Sequence, residues 1–243
     1  MIMPCKYLPT ASRARLLRPT LQNGAAMLAE LLARSPVLPV VTIADATAAV
    51  PLARALLAGG LSVIEITLRT PAAAEAIARI ADQVEGVVVG AGTVLNGWDI
   101  AAAEQAGARF AVSPGFSASL SDQASLPLLP GVATASEVMA ALEAGHSLMK
   151  FFPAEAAGGP PFLKALAGPL PQARFCPTGG ITTGNAHTYL RLANVVCVGS
   201  SWLTPPDLIA AANWRAIERL AREAASLRPG AAPKEELAES HKS

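Results

Sequence analysis

Residues 37–68, VLPVVTIADATAAVPLARALLAGGLSVIEITL, contain the pattern that decides the fold. Two short runs of aliphatic and β-branched residues, 37–43 and 62–68, flank a stretch at 46–58 that is rich in Ala and Leu. Such runs are typical of strands, and the Ala- and Leu-rich stretch is typical of a helix. The helical stretch ends at Ala-Gly-Gly (58–60), and glycine commonly ends helices because it adopts the left-handed conformation cheaply. The segment therefore predicts a strand–helix–strand unit with two parallel strands.

The same alternation continues along the chain. Candidate strands lie at 37–43, 62–68, 87–91, 109–113, 127–130, 147–152, 174–178 and 195–199. Candidate helices lie at 46–58, 71–83, 97–106, 117–124, 134–144, 159–168, 184–192 and 206–226, with an extra N-terminal helix near 22–34. This order predicts an α/β fold, and eight such units favour a single (β/α)8 TIM barrel, which typically needs about 200 residues or more. A doubly wound open sheet is the alternative, although no G-x-G-x-x-G turn follows the first strand.

The two ends of the chain differ from the repeat. Residues 1–20 contain four basic residues and no acidic residue, which fits either a poorly ordered tail or an organelle transit peptide. The first reading is preferred. Residues 229–243 are polar and contain Pro and Gly, which predicts a disordered C-terminal tail. The remaining segment, 21–228, is predicted to form one barrel domain.

The composition excludes several classes of protein. Hydrophobic residues make up 52% and charged residues 15%, unlike a disordered chain or a coiled coil. A net charge of +1 and only 5% aromatic residues argue against binding to nucleic acid, and no uncharged run is long enough to span a membrane. Cys5, Cys176 and Cys197 are too far apart in sequence for a disulfide framework or a zinc pattern, so a cytoplasmic location is expected. The sequence predicts neither a metal nor another cofactor, since no His, Asp and Glu residues show metal-ligand spacing at the strand ends.

Three charged residues fall at predicted strand ends, where barrels place their active sites. Lys150 lies in an apolar strand, and burial would favour its neutral amine, which is the nucleophilic form. A lysine on the outer face of the sheet is the alternative. Glu65 alternates with isoleucines, so an inward carboxylate there is a candidate general acid–base, or a structural partner of Arg69 or Lys150. Arg69 points the same way and could hold a carboxylate through two parallel hydrogen bonds, or it could be a solvated loop residue.

Two glycine-containing turns follow the last two predicted strands. They are Thr178-Gly179-Gly180 and Gly199-Ser200-Ser201. Barrels commonly bind phosphate at these two positions through backbone N–H groups, and glycine lets the backbone approach the anion closely. The two turns together predict a phosphate site.

Six motifs, in order and at barrel spacing, resemble one known family. They are EITLRTP (65–71), VGAGTVLN (89–96), FAVSPGF (110–116), KFFPAE (150–155), RFCPTGGI (174–181) and VGSSWL (198–203). Across about 22–226 the chain closely resembles the bacterial 2-keto-3-deoxy-6-phosphogluconate (KDPG) aldolases, which are grouped with 4-hydroxy-2-oxoglutarate aldolase.

The resemblance implies a metal-independent class I aldolase built as a homotrimer of (β/α)8 barrels. It would cleave KDPG to pyruvate and glyceraldehyde 3-phosphate in the Entner–Doudoroff pathway, with Lys150 forming the Schiff base and Glu65 acting as general acid–base. The other residues carried over are Arg69, Thr93 and Thr178 for the keto-acid carboxylate, Pro114 and Phe152 for the pocket wall, and Gly179, Gly180, Gly199, Ser200 and Ser201 for the phosphate. The implied partners are the phosphorylated keto acid, pyruvate and further copies of the chain.

The chain departs from the family pattern at Ser200, where a second glycine is expected. A β-carbon there is expected to crowd or reshape the phosphate site, so the preferred substrate stays open. The alternatives are 4-hydroxy-2-oxoglutarate, which gives glyoxylate and pyruvate, and the galactonate-derived epimer of KDPG. A barrel that binds a phosphorylated ligand without catalysis is a more distant alternative.

Overall fold

The structure is a computed structural model that describes residues 18–227. Of the predicted tails, residues 1–17 and 229–243 lie outside the described residues, and the first helix includes residues 18–20. Across 18–227, no helix is long and apolar enough to cross a bilayer.

Helices and strands alternate along the described chain, as the sequence predicts. The helices are α1 (Arg18–Leu32), α2 (Ala49–Ala58), α3 (Ala73–Gln83), α4 (Gly97–Gln105), α5 (Ala118–Gln123), α6 (Ala135–Glu143), α7 (Gly159–Leu166), α8 (Ala186–Leu190), α9 (Pro206–Ala210) and α10 (Trp214–Ala225). The strands are β1 (Val37–Val41), β2 (Val63–Thr67), β3 (Val88–Gly92), β4 (Ala111–Val112), β5 (Leu128–Leu129), β6 (Gly131–Val132), β7 (Leu148–Phe151), β8 (Arg174–Pro177) and β9 (Val198–Ser200).

The strands form two parallel sheets. The larger sheet has six strands in the order β5-β4-β3-β2-β1-β9, and the smaller has three in the order β6-β7-β8. Isolated parallel bridges, Phe175 with Val195 and Thr178 with Gly199, connect the β8 and β9 regions. The fold is thus α/β with a parallel sheet, and the carboxyl ends of neighbouring strands lie together.

One predicted strand, 127–130, is divided in the structure into β5 and β6 on either side of Pro130. Proline has no N–H group, so the hydrogen-bonded ladder cannot continue through it. β5 pairs with β4, whereas β6 pairs with β7, and the Pro130 carbonyl accepts a hydrogen bond of 2.8 Å from the Lys150 N–H.

The predicted helix at 206–226 is also divided, into α9 and α10. Ala212 between them has a φ of 50°, which a continuous helix does not allow. Asn213 then begins α10, because its side chain accepts a hydrogen bond from the Ala216 N–H.

Two apolar clusters form the core. An outer cluster fills the space between the strands and the helices. An inner cluster lies on the other face of the strands and consists of Leu28, Leu32, Leu38, Val63, Phe110, Val112, Leu129, Leu148, Cys176 and Cys197. Leu28 and Leu32 come from α1 and pack with residues at the amino-terminal ends of the strands. α1 therefore covers the amino ends and leaves the carboxyl ends open for a site.

Candidate active site

Lys150 lies on the inner face of β7, near its carboxyl end. It shares that face with Leu148 of the inner cluster, whereas the alternate residues, Met149 and Phe151, belong to the outer cluster. Only 4% of the Lys150 surface is exposed. The inward, buried lysine predicted from the sequence is therefore present.

Glu65 reaches the same place from β2. Its neighbours Ile64 and Ile66 belong to the outer cluster, so Glu65 points inward, and it is 1% exposed. Its Oε1 lies 3.4 Å from the Lys150 Nζ, within ion-pair distance. Among the atoms of residues 18–227, its Oε2 has no hydrogen-bond partner. One carboxylate oxygen thus faces the amine, and the other is free to take a proton.

Gly92, at the end of β3, makes room for this carboxylate. A β-carbon built at Gly92 would lie 2.1 Å from the Glu65 Oε1, closer than real atoms approach. Residue 92 pairs in register with Thr67, two positions beyond Glu65. Gly92, the second glycine of the motif VGAGT, therefore leaves the space that the Glu65 carboxylate occupies.

The buried Lys150–Glu65 pair is poor evidence for a stabilising role. Removing two charges from water costs several kcal/mol per ion, and apolar replacements for such pairs are often neutral or stabilising. A site in which the two charges take part in a reaction is the better explanation of a buried pair at the carboxyl ends of the strands.

Arg69 and Thr93 come together beside this pair. The Arg69 Nε donates a hydrogen bond of 3.1 Å to the Thr93 Oγ1. Thr93 has a φ of 59°, which is rare for a β-branched residue and costs of the order of 1–3 kcal/mol. Backbone strain of this kind clusters at functional sites. Two residues predicted to hold a carboxylate are therefore adjacent.

Thr178 lies at the carboxyl end of β8, where it is 7% exposed. A β-carbon at Gly199 would overlap the Thr178 Oγ1, so the glycine of β9 allows the threonine to pack against it. Gly179 and Gly180 follow with φ values of 98° and 78°, which favour glycine. The two predicted glycine turns therefore lie side by side.

Phe152 and Pro114 border the lysine. The Phe152 ring centroid lies 5.2 Å from the Lys150 Nζ, and a β-carbon at Gly179 would touch the same ring at 3.2 Å. Pro114 packs against Gly131, the residue of β6 in register with Lys150. Phe152 therefore lies beside Lys150, and Pro114 lies against the strand that pairs with the lysine.

The position of the Ser200 side chain differs from the expectation that its β-carbon crowds the phosphate site. Gly199 faces Thr178, so Ser200 points to the opposite face of β9, and its hydroxyl donates a hydrogen bond of 2.9 Å to the Ile181 carbonyl. Ser200 is 5% exposed, whereas Ser201 is exposed. The Ser200 side chain is thus behind the turn, and Ser201 is open to solvent.

One pair near the site was not predicted from the sequence. The Tyr189 hydroxyl, on α8, donates a hydrogen bond to the Glu155 carboxylate, which follows β7. Burial and the neighbouring Glu155 raise the pKa of Tyr189. The motif KFFPAE contains the glutamate, but its partner is 34 residues away, and no local signal connects them.

A second such pair is Ser121 with His146. The Ser121 Oγ lies 2.7 Å from the His146 Nε2, and both residues are buried. Burial lowers the pKa of His146, against a smaller opposing effect of a hydrogen bond to the Leu128 backbone. His146 lies between α6 and β7 and is buried in the interior. In residues 18–227 no three His, Cys, Asp or Glu side chains are grouped so that they could hold a metal ion.

The fold and the site together define an α/β protein of parallel strands with a buried lysine–carboxylate pair at their carboxyl ends. The family model described as "Aldolase: KDPG and KHG aldolase" matches residues 28–220. The chain belongs to the KDPG/KHG aldolase family, which confirms the resemblance seen in the sequence.

Individual relatives agree with this assignment. The chain is 46% identical to the KHG/KDPG aldolase of Escherichia coli over 84% of its own length and 97% of the relative's. It is 49% identical to the 2-dehydro-3-deoxy-phosphogluconate aldolase of Zymomonas mobilis, over 81% and 94%. The crystal structure of a KDPG aldolase from Legionella pneumophila, in which pyruvate was captured as a covalent carbinolamine, is similar with a TM-score of 0.80 and 46% identity, covering 82% and 98%.

Proposed function

We propose that the protein is a class I aldolase that cleaves KDPG to pyruvate and glyceraldehyde 3-phosphate, a step of the Entner–Doudoroff pathway. The observation that carries the proposal is the buried Lys150–Glu65 pair, whose amine and carboxylate lie 3.4 Å apart. Its relatives of 45–49% identity named for this aldolase activity support the substrate.

The reaction begins with the neutral Lys150 amine, which attacks the C2 carbonyl of the keto acid and forms a carbinolamine. Loss of water gives an iminium, which withdraws electrons from the bond to be broken. The Glu65 carboxylate removes the C4 hydroxyl proton, the C3–C4 bond breaks, and the aldehyde product leaves an enamine on the lysine. Glu65 returns the proton to C3, and water then releases pyruvate and regenerates the amine.

One carboxylate is sufficient for both proton transfers, because Glu65 is ionised again after it protonates C3. The free Oε2 of Glu65 supports this role, since a proton acceptor needs an oxygen that the lysine does not occupy. The iminium supplies the electron sink that a metal ion provides in other aldolases. We therefore expect a chelator to leave the activity unchanged.

The remaining predicted residues divide between the two ends of the substrate. Arg69, Thr93 and Thr178 hold the carboxylate next to C2, and the contact between Arg69 and Thr93 supports this. Pro114 and Phe152 form the wall beside the reacting carbons. The distal phosphate binds at the two glycine turns, through Gly179, Gly180, Gly199 and Ser201, where positive φ angles of Gly179 and Gly180 and solvent exposure of Ser201 support an anion site.

A second candidate substrate is 4-hydroxy-2-oxoglutarate, which the name of the Escherichia coli relative includes. The galactonate-derived epimer of KDPG is a third. Measuring how fast one enzyme preparation cleaves KDPG, its C4 epimer and 4-hydroxy-2-oxoglutarate will show which of the three is the preferred substrate. A phosphate-binding barrel without catalysis would turn over none of these.

The proposal extends to the assembly and the compartment. We infer that β5 and β6 act as one strand interrupted at Pro130, and that the bridges between β8 and β9 close eight strands into a (β/α)8 barrel. We infer a homotrimer, because a chain with 15% charged residues and an 87% exposed Trp98 has apolar surface for copies of itself to cover. We infer a cytoplasmic location, because the three cysteines are spaced too widely for a disulfide framework. Sedimentation equilibrium tests the trimer, and a monomer would contradict it.

Reduction with borohydride in the presence of pyruvate tests the proposed activity. Reduction of the imine would attach the pyruvate carbons to Lys150 permanently, and peptide mass spectrometry would locate the label. Lys150→Ala should abolish the label, whereas Lys164→Ala, on the surface of α7, should keep it. A label elsewhere, or none, would rule out the proposed mechanism.

A further inference from the structure

Four consecutive backbone carbonyls after β8 accept hydrogen bonds from other parts of the chain. We call residues 178–181 the glycine loop. The four bonds run from Ala154 N–H to Thr178 O (2.8 Å), Glu155 N–H to Gly179 O (3.1 Å), Asn185 Nδ2 to Gly180 O (3.0 Å) and Ser200 Oγ to Ile181 O (2.9 Å). The first two donors are main-chain groups, and the last two are side chains.

These bonds fix where the N–H groups of the loop point. In a planar trans peptide the N–H group is directed opposite to the preceding carbonyl. The N–H groups of Gly179, Gly180 and Ile181 therefore point away from the groups that donate to the preceding carbonyls. Within residues 18–227 these three N–H groups have no acceptor. Successive backbone N–H groups without acceptors in a turn of this kind are typical of anion-binding concavities.

Asn185 fixes the middle of the loop from both sides. Its Nδ2 donates to the Gly180 carbonyl, and its Oδ1 accepts a hydrogen bond of 2.8 Å from the Thr182 N–H. One amide group thus orients the peptide between residues 180 and 181, and with it the Ile181 N–H.

Ser200 connects the glycine loop to the second turn. Its buried hydroxyl donates to the Ile181 carbonyl and accepts a 3.4 Å hydrogen bond from the Trp202 N–H. Residue 201 is the exposed serine at the mouth of the same turn. The hydroxyl therefore fixes the spacing between the glycine loop and Ser201.

We propose that Ser200 and Asn185 are positioning residues for the distal phosphate of the substrate. They do not touch the anion, but they hold its backbone donors on the glycine loop and the second turn at a fixed separation. A serine at position 200 accordingly strengthens phosphate recognition instead of crowding it. This inference rests on the proposed function, because that proposal places the phosphate at these turns.

The test measures the binding of inorganic phosphate to the full chain by 31P NMR titration, which does not require catalysis. Ser200→Ala keeps the β-carbon and removes the hydroxyl, so the dissociation constant should rise about 3- to 10-fold, the usual effect of one lost hydrogen bond. Asn185→Ala removes two bonds and should cause a larger rise. Ser226→Ala is the matched control, because it removes another hydroxyl-to-carbonyl bond at the end of α10 and should leave the constant unchanged.

Steady-state kinetics then separate positioning from a general structural effect. In Ser200→Ala the KM for KDPG should rise in parallel with the phosphate constant, while kcat and the KM for unphosphorylated 4-hydroxy-2-oxoglutarate stay at the wild-type values. Phosphate binding as tight as in the wild type, or an equal loss for both substrates, would overturn the inference. Wild-type protein that binds phosphate but forms no borohydride-trapped adduct would instead contradict the proposed function.

Discussion

Gly92→Ala should displace the Glu65 side chain, which supplies the three atoms nearest to a β-carbon at that position. The β-carbon of alanine would lie 2.1 Å from Oε1, whereas real β-carbons stay at least 3.0 Å from such atoms. The carboxylate must therefore move by about 1 Å, and a misplacement of 1 Å commonly costs about 100-fold in rate. The backbone at residue 92 does not have a positive φ, so alanine adds no strain of its own.

Proton exchange at the pyruvate methyl group is the assay that isolates this effect. In D₂O the enamine formed from pyruvate and Lys150 takes deuterium through Glu65, and 1H NMR follows the loss of the methyl signal. Gly92→Ala should exchange about 100-fold more slowly than the wild type, while borohydride still traps pyruvate on Lys150. Gly168→Ala is the control, because a β-carbon there meets no atom within 4 Å.

Exchange at the wild-type rate in Gly92→Ala would refute the reasoning, because it would mean that the position of Glu65 does not control the proton transfer. A parallel loss of imine trapping would also refute it, since the substitution is argued to act on the carboxylate alone. Thermal unfolding of both variants checks that each remains folded.

Three further predictions concern single side chains. Glu65→Gln should slow the same exchange by about 10²–10⁴-fold, the usual contribution of a general acid–base, and normal exchange would remove Glu65 from its role. Arg69→Gln should raise the pyruvate concentration needed for half-maximal borohydride trapping by about 10- to 100-fold, because the variant loses a charged hydrogen bond to the pyruvate carboxylate. An unchanged concentration would contradict this role of Arg69. Burial lowers the pKa of His146, so this side chain binds a proton more readily in the unfolded chain than in the folded one. The contribution of neutral His146 to the free energy of unfolding is therefore fully present above about pH 6.5 and is lost as the pH falls below that value. Urea unfolding between pH 7 and 5 should show a smaller decrease in His146→Gln than in the wild type, and equal decreases would exclude His146 as the cause.

Local alternation predicts that Glu65 points to the face opposite Ile64 and Ile66, and the structure agrees. For Lys150 the sequence left an inward and an outward direction open, and the structure places it inward. Their separation of 3.4 Å could not be predicted, since it depends on the curvature of the sheet across 85 residues of chain. The resemblance to the aldolase family predicted that Lys150 and Glu65 share one active site, whereas periodicity along the chain carries no information about that pairing.

The failures have the same physical origin. The resemblance predicts that the Ser200 β-carbon crowds the phosphate site, but alternation along β9 turns this side chain to the face opposite Gly199, where it bonds to the Ile181 carbonyl. Pro130 was included in a strand although it cannot continue the ladder on both sides. The pairs Ser121–His146 and Glu155–Tyr189 join segments far apart in sequence, and no pattern along the chain encodes them.

The two ends of the strands have different physical roles. Towards the amino ends, α1 contributes Leu28 and Leu32 to the apolar inner cluster, and burial of this kind stabilises the fold by roughly 25 cal/mol per Å². At the carboxyl ends lie the features that cost free energy, namely the buried Lys150–Glu65 pair, the unpartnered Glu65 oxygen within the described chain and the positive φ of Thr93. A fold can retain such costs only if another part of it supplies the stability. The separation therefore explains how the fold keeps a buried amine and carboxylate in place for reaction with a keto acid.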